Sequence, residues 1–248
     1  MRSTFCHSVT DRLESYAAQQ ALLPIEGRHI VAHYVTGSFV VVYQAFNDQI
    51  AKYAVTQQTF VGAPGYSLTR MTWVKTNFMW MMYRCGWCTK DANQSRVLAL
   101  FLSYEGFLKM VRTAVASSHA SSSVDVKDTA ASARPSRADQ VRLQWDPDHA
   151  PDGRSLTRRA IQLGLRGEIL NEFHNEWILK IEDVTDSLVV PQRHVAFPSS
   201  LRNHDATPET MKADASVDWS VLNVPVERVL LPDRDGLKGG SDADSQNF

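Results

Sequence analysis

The side chains best suited to chemistry crowd into Arg70–Lys90. These twenty-one residues hold three of the six tryptophans, four of the seven methionines and four basic residues. Within Arg70-Met-Thr-Trp-Val-Lys75 and Trp80-Met-Met-Tyr-Arg84, wide apolar rings stand beside fixed cations. Such a set suits a ligand with a ring and phosphates. Trp73 would stack the ring, and Arg70, Lys75 and Arg84 would take phosphate oxygens. The same residues also suit a buried helix with a charged rim, in which Trp73 is core and Lys75 reaches water along its stem.

Two further groups compete for attention. Cys85-Gly-Trp-Cys88 has CxxC spacing. A redox pair of this kind works best with its first thiol at a helix N-terminus, where the dipole stabilises the thiolate. Here the pair is expected at the far end of a helix. As half of a zinc site it would need two more ligands, and no metal site is expected. Downstream, Gln144, Asp146, Asp148 and His149 surround a strand end, where sites are commonly assembled. They could perform acid–base work or hold a ribose, although Asp-Pro-Asp is also ordinary turn sequence. Gln162 is a polar residue between Ile161 and Leu163. It faces either solvent or a pocket. The acidic run Glu176, Glu182, Asp183 and Asp186 reads as solvated surface.

Elements that could position these residues follow from periodicity. Strands are expected over 29–34, 39–45, 71–75, 96–102, 141–145, 159–165 and 178–184. The first two form a hairpin across 35–38. Helices are expected from 48 to about 58 behind an Asn47 cap, over 78–84 between Asn77 and Gly86, over 104–115 and over 168–177. Residues 1–22 read as a weakly helical opening segment and 146–153 as a loop. A returning edge segment is expected over 221–231. The Ser/Ala/Asp/Pro-rich stretch 116–139 has too few apolar groups to offset its ordering entropy, and 239–248 is expected to be disordered.

The resulting class is α+β, a single mixed-sheet domain with short helices. Residues 1–27 precede it, 28–190 form it with 116–139 as a flexible insertion, and 191–248 are an irregular extension. Hydrophobic residues at 44%, charged residues at 21% and a net charge of −1 are globular values. They give no global attraction to nucleic acid or to an anionic membrane, so any anion site must be local. No apolar run is long enough to span a bilayer, and three cysteines build no disulfide framework. A cytoplasmic or nuclear location is the expectation.

At Val42-Tyr-Gln-Ala-Phe-Asn47, Arg70–Lys75, Trp80–Arg84, Gly86-Trp87, Gln144-Trp-Asp-Pro147, Arg159–Leu165, Glu176-Trp177 and Ile181–Asp186 the chain resembles the domain-of-unknown-function family 4291. The likeness covers about residues 28–190. That family has no assigned activity, so the resemblance implies a fold and no reaction. Against it, 116–139 stands as an extra insertion, and small non-cysteine residues are associated with the places of Cys85 and Cys88. The layout is also similar to ADP-ribosyltransferase domains, through Val40-Val-Val-Tyr-Gln44, the helix after Asn47, Met71–Lys75 and the helix over 78–84. That similarity implies NAD as a ligand. It puts Gln44 where the pattern has a basic residue and Gln162 where it has a glutamate. A neutral glutamine can hold a ribose but stabilises positive charge at an anomeric carbon far less.

Three functions fit these residues. The first is a nucleotide-binding, transferase-like enzyme, with NAD as the candidate cofactor. In it Tyr43 and Trp73 form the platform, and Arg70, Lys75 and Arg84 neutralise phosphate. Gln44, Gln144, Asp146 and Gln162 hold ribose or amide, with Gln162 and Arg84 nearest the chemistry. The second is a nucleic-acid binding or processing protein using the same patch. The third is a non-catalytic interaction module.

Overall fold

A computed structural model describes residues 7–116, 141–196 and 218–231. In chain order the elements begin with β1 (Leu13–Ser15), α1 (Tyr16–Leu22), β2 (Gly27–Arg28), β3 (Val31–Ala32) and β4 (Tyr34–Val35). Next come β5 (Phe39–Phe46), α2 (Asp48–Gln57), β6 (Thr72–Lys75), α3 (Phe78–Cys85), β7 (Arg96–Ser103) and α4 (Tyr104–Arg112). The remainder are β8 (Ala114–Ala116), β9 (Val141–His149), β10 (Ser155–Leu165), α5 (Gly167–Glu172), β11 (Ile178–Asp183), α6 (Val190–Ala196), β12 (Asn223–Pro225) and β13 (Arg228–Val229). The α+β class and the mixed sheet are as expected from the sequence.

The main sheet runs β11-β7-β5-β6-β10-β9-β8, with β4 added to β5 and β2 to β10. All pairings along this path are antiparallel except β8 with β9. Both faces are covered, which explains the unbroken apolar runs of β5 and β7. Val40, Val42, Leu98, Leu100 and Leu102 point to a back core that also takes residues of α2, α4 and α5. Phe39, Val41, Tyr43, Val97, Ala99 and Phe101 point to a front core beneath α3.

Caps mark the helices as the sequence suggests. Asn47 Oδ1 accepts from the Ile50 amide at 2.9 Å, and Asn77 Oδ1 from Trp80 at 2.8 Å. A second acceptor at the start of α3 comes from far along the chain: Glu227 Oε1 bonds the Phe78 amide at 2.8 Å. Gly86, at φ 55°, closes α3 in the left-handed region. All of α3 is buried except half-buried Tyr83 and exposed Arg84.

Several boundaries differ from the periodic reading. The strand expected over 29–34 is split into β3 and β4, because His33 between them bonds the Val226 carbonyl at 2.8 Å. The helix expected over 104–115 stops at Arg112, where the Thr113 hydroxyl bonds back to Lys109 O at 2.9 Å, and residues 114–116 join the sheet instead. The helix expected over 168–177 widens into a π-turn at Phe173–Trp177, which turns Phe173, His174 and Trp177 inward together. Strand β10 starts four residues early. Strand β9 continues through the expected loop to His149, past Pro147. Among the described residues no strand lies on its outer edge beyond Leu143, so the missing proline N–H breaks no ladder bond of theirs there. The expected irregular extension supplies α6, and the edge segment becomes β12 on β1 and β13 on β3. The insertion assigned to 116–139 and the tail over 239–248 lie outside the described residues, apart from Ala116.

Candidate functional site

Strand register assembles the site. Tyr43 of β5 is opposite Lys75 of β6, Lys75 is opposite Gln162 of β10, and Gln162 is opposite Gln144 of β9. Residues in register on adjacent strands share a face, so four strands present one row toward α3. Asp146 follows two residues after Gln144 and joins that face. Gln162 Nε2 donates to Asp146 Oδ2 at 2.7 Å and to Gln144 Oε1 at 3.1 Å. The polar residue in an apolar strand therefore points into the assembly and orients a carboxylate.

Lys75 is the centre of the row. It is 7% exposed, and among the described residues its ammonium has neither hydrogen bond nor ion pair. Burial lowers its pKa first, the Arg84 guanidinium lowers it further, and Cys85 and Asp146 oppose the shift, which leaves it at about 8. Arg84 stands in the last turn of α3, close enough for its charge to act on Lys75. Trp73 is half-buried on the Lys75 side of β6, opposite Gly164. A Cβ at Gly164 would meet the Trp73 ring at 3.0 Å and the Met71 sulfur at 2.7 Å, so this glycine gives the indole its place. Arg70 is exposed just before β6.

Two expected members are closed to a ligand. Tyr43 is fully buried, with its ring edge-on to Phe78 at 5.6 Å and its hydroxyl unpartnered. Burial drives its pKa well up, and no face of the ring is open to a ligand. Gln44, the next residue on the strand, must point to the back. There its Nε2 donates to Thr72 Oγ1 at 2.6 Å and to the Trp73 carbonyl at 3.1 Å, bracing β6 against β5.

The row extends into an aromatic stack that periodicity does not reveal. The His149 ring lies 3.5 Å from Tyr83, nearly parallel, with Trp80 at 5.3 Å. Trp80 and Tyr83 are three apart on α3 and so share a helix face. Burial lowers the pKa of His149, which keeps the imidazole neutral. Its Nε2 stands 3.4 Å from Ser155 Oγ. Ser155 and Arg158 border a cavity of about 510 Å³ walled also by Tyr16, Leu23 and Trp219. The signal for His149 was its residue type beside Asp148 at the expected strand end, because three positions past Asp146 it is out of step with the two-residue alternation of Gln144 and Asp146.

Beside this group, Arg158 and Asp148 form a buried ion pair at 2.6 Å. The acidic run divides as surface residues do: Asp183 and Asp186 pair with Arg96, and Glu182 with Lys180. Among the described residues no cluster of three histidine, cysteine or carboxylate side chains could hold a metal. His29 and His33, four apart, bond separate carbonyls, Glu26 O and Val226 O. No described helix is long and apolar enough to cross a membrane.

No curated protein matches the chain. The sequence profile of a family described as a domain of unknown function, DUF4291, matches residues 29–212, which include every member of the row and of the stack. The match spans most of the chain, and the protein belongs to the DUF4291 family.

Proposed function

We propose that the front-face row binds a nucleotide through its phosphates, with NAD as the first candidate, and serves transfer of an ADP-ribosyl-type group. The observation that carries this is Lys75. A lysine this deeply placed, with no acceptor among the described residues, is costly to keep charged, and an anion beside Arg84 would supply a partner. Phosphate oxygens meet that need, with exposed Arg70 at the rim. Trp73 offers a ring face beside the same cations.

Asp146 answers the charge difficulty that Gln162 raises. When the bond from an anomeric carbon to its leaving group breaks, positive charge grows on the sugar, and a fixed carboxylate stabilises it. Gln162 holds Asp146 by a hydrogen bond, so charge and orientation come from two residues on neighbouring strands. Neutral His149 is suited to accept the proton of an incoming nucleophile.

Titration of the full chain with NAD, ATP and a short RNA, followed by tryptophan fluorescence, tests the reading. NAD or ATP should perturb the signal, and Lys75→Met should abolish the change while the fold persists. Absence of any response at millimolar ligand removes the proposal. Exposed Arg70, Arg84 and Lys90, with a half-buried Trp73, favour a second reading, a polynucleotide ligand. RNA affinity that falls steeply with salt would select it.

A further inference from the structure

The Cys85–Cys88 pair is not used by the nucleotide reading, and its geometry is unusual. Gly86, Trp87 and Cys88 all adopt left-handed backbone, at φ 55°, 53° and 66°. For Trp87 and Cys88 this conformation is strained. It is held by surrounding bonds: Trp87 N to Met82 O at 2.9 Å, Thr89 N to Gly86 O at 3.0 Å, and Arg193 Nη1 to Trp87 O at 3.1 Å. The Trp87 side chain is buried against Phe78 at 6.3 Å. Strain fixed this firmly is a feature of functional turns.

The turn brings the two sulfurs together. Hydrogen bonding from the Cys88 side chain, against the effect of burial, draws the Cys85 pKa down, and as a thiol Cys85 donates to the Met82 carbonyl at 3.7 Å. Cys85 is completely buried, whereas Cys88 is half-buried. A four-residue turn also keeps its end Cα atoms within the span that a disulfide bridges.

We propose that Cys85 and Cys88 are a thiol–disulfide exchange pair, with Cys88 the sulfur that meets a small external disulfide and Cys85 the sulfur that resolves it. In the first step the Cys85 thiolate takes the proton of Cys88, and the Cys88 thiolate so formed attacks one sulfur of the external disulfide. A Cys88 mixed disulfide forms and one external thiolate leaves. Cys85 then loses its proton to that thiolate and attacks the Cys88 sulfur. The intramolecular bond forms and the second external thiolate departs, to be protonated by solvent. In sum, two protein thiols are oxidised to one disulfide, and one external disulfide is reduced to two thiols. Hydrogen bonding from the Cys88 side chain lowers the pKa of Cys85, as a resolving thiolate requires. Cys85 lies in electrostatic reach of Lys75. Oxidation therefore removes negative charge beside the proposed phosphate site. That consequence rests on the nucleotide reading, whereas the thiol chemistry does not.

The test uses the full chain carrying Cys6→Ser, equilibrated with oxidised glutathione, quenched with N-ethylmaleimide and weighed intact. The expected result is no alkylated thiol, a mass lower by two hydrogens and a Cys85–Cys88 cross-linked peptide. In the same background, Cys85→Ala should trap one glutathione on Cys88, and Cys88→Ala should leave Cys85 unmodified. Two free thiols after equilibration, or glutathione persisting on Cys88 while Cys85 is present, overturns the proposal. If Cys85→Ala fails to fold, the Cys6→Ser chain alone decides between these outcomes.

Discussion

Arg158 and Lys75 are both buried cations on sheet strands, yet their surroundings are opposite. Arg158 engages all three of its nitrogens: Nε and Nη2 on Asp148 at 2.9 and 2.6 Å, Nη1 on the Pro24 carbonyl at 2.8 Å, and Nη2 on Gln20 at 2.9 Å. It ties the segment before the sheet to β10 and β9. Lys75 is almost as deeply placed and has no acceptor among the described residues. A buried charge with full compensation is a structural device, whereas one without it marks a candidate binding site. The contrast separates a cation compensated inside the sheet from one that is not.

The comparison predicts effects of opposite sign. The largest belongs to Arg158. Arg158→Met leaves Asp148 buried and unpaired, and urea unfolding should show a loss of about 3–5 kcal/mol. A loss below about 1 kcal/mol, a surface-like value, would break the contrast at its structural end.

Lys75→Met should do the reverse. A folded-state pKa of about 8 lies below the ordinary 10.5, so between these values the unfolded chain holds more protons and stability rises with pH. Below pH 8 the burden is present in full. The substitution should thus stabilise the fold at pH 7 by about 3 kcal/mol, from the difference between 10.5 and 8 at about 1.4 kcal/mol for each pKa unit. It should also flatten the rise between pH 8 and 10.5. Denaturation curves at pH 7 and 10 measure both, and a destabilised Lys75→Met would mean that Lys75 is structural after all. Under the nucleotide reading, ligand affinity should weaken as pH rises through about 8, because the ammonium is lost.

Gly164→Ala sharpens the role of Trp73. The added methyl would meet ring and sulfur atoms at contact distances that require movement, so a loss of roughly 1–2 kcal/mol is expected. A blue-shifted tryptophan emission would show that the indole has moved. Unchanged stability and emission would mean that the ring is not seated on this glycine. Arg84→Ala should be smallest in stability, within about 0.5 kcal/mol, because the side chain is exposed. Its effect should appear instead as a roughly tenfold weaker nucleotide affinity, about 1.4 kcal/mol. Unaltered affinity would remove Arg84 from the site.

Much of this was legible because it is local. Periodicity and caps located β5, α2, α3, β7 and β11 to within a few residues, since Asn47, Asn77 and Gly86 act on their own helix ends. The boundaries that moved were set by distant partners. Residues 114–116 become a strand because β9 offers an edge, and His33 splits its strand for the Val226 carbonyl. The site divides in the same way. Lys75, Trp73 and Arg84 could be named from residue type and spacing. Tyr43 and Gln44 were named for the same reason, but the pleat sends one into a closed core and the other through to the back.

The sequence by itself determined the α+β class, the family, the apolar character of α3 and the closeness in chain of rings and cations. Each depends on residue type or on neighbours a few positions apart. Only the tertiary structure decided that Lys75 meets Gln162, Gln144 and Asp146, because antiparallel register links residues about seventy to ninety positions apart, and a slip of one residue would send them to opposite faces. It also decided which buried cation finds its partners. Arg158 draws them from Gln20, Pro24 and Asp148, and compensation of a charge is a property of the assembled interior that no local stretch encodes.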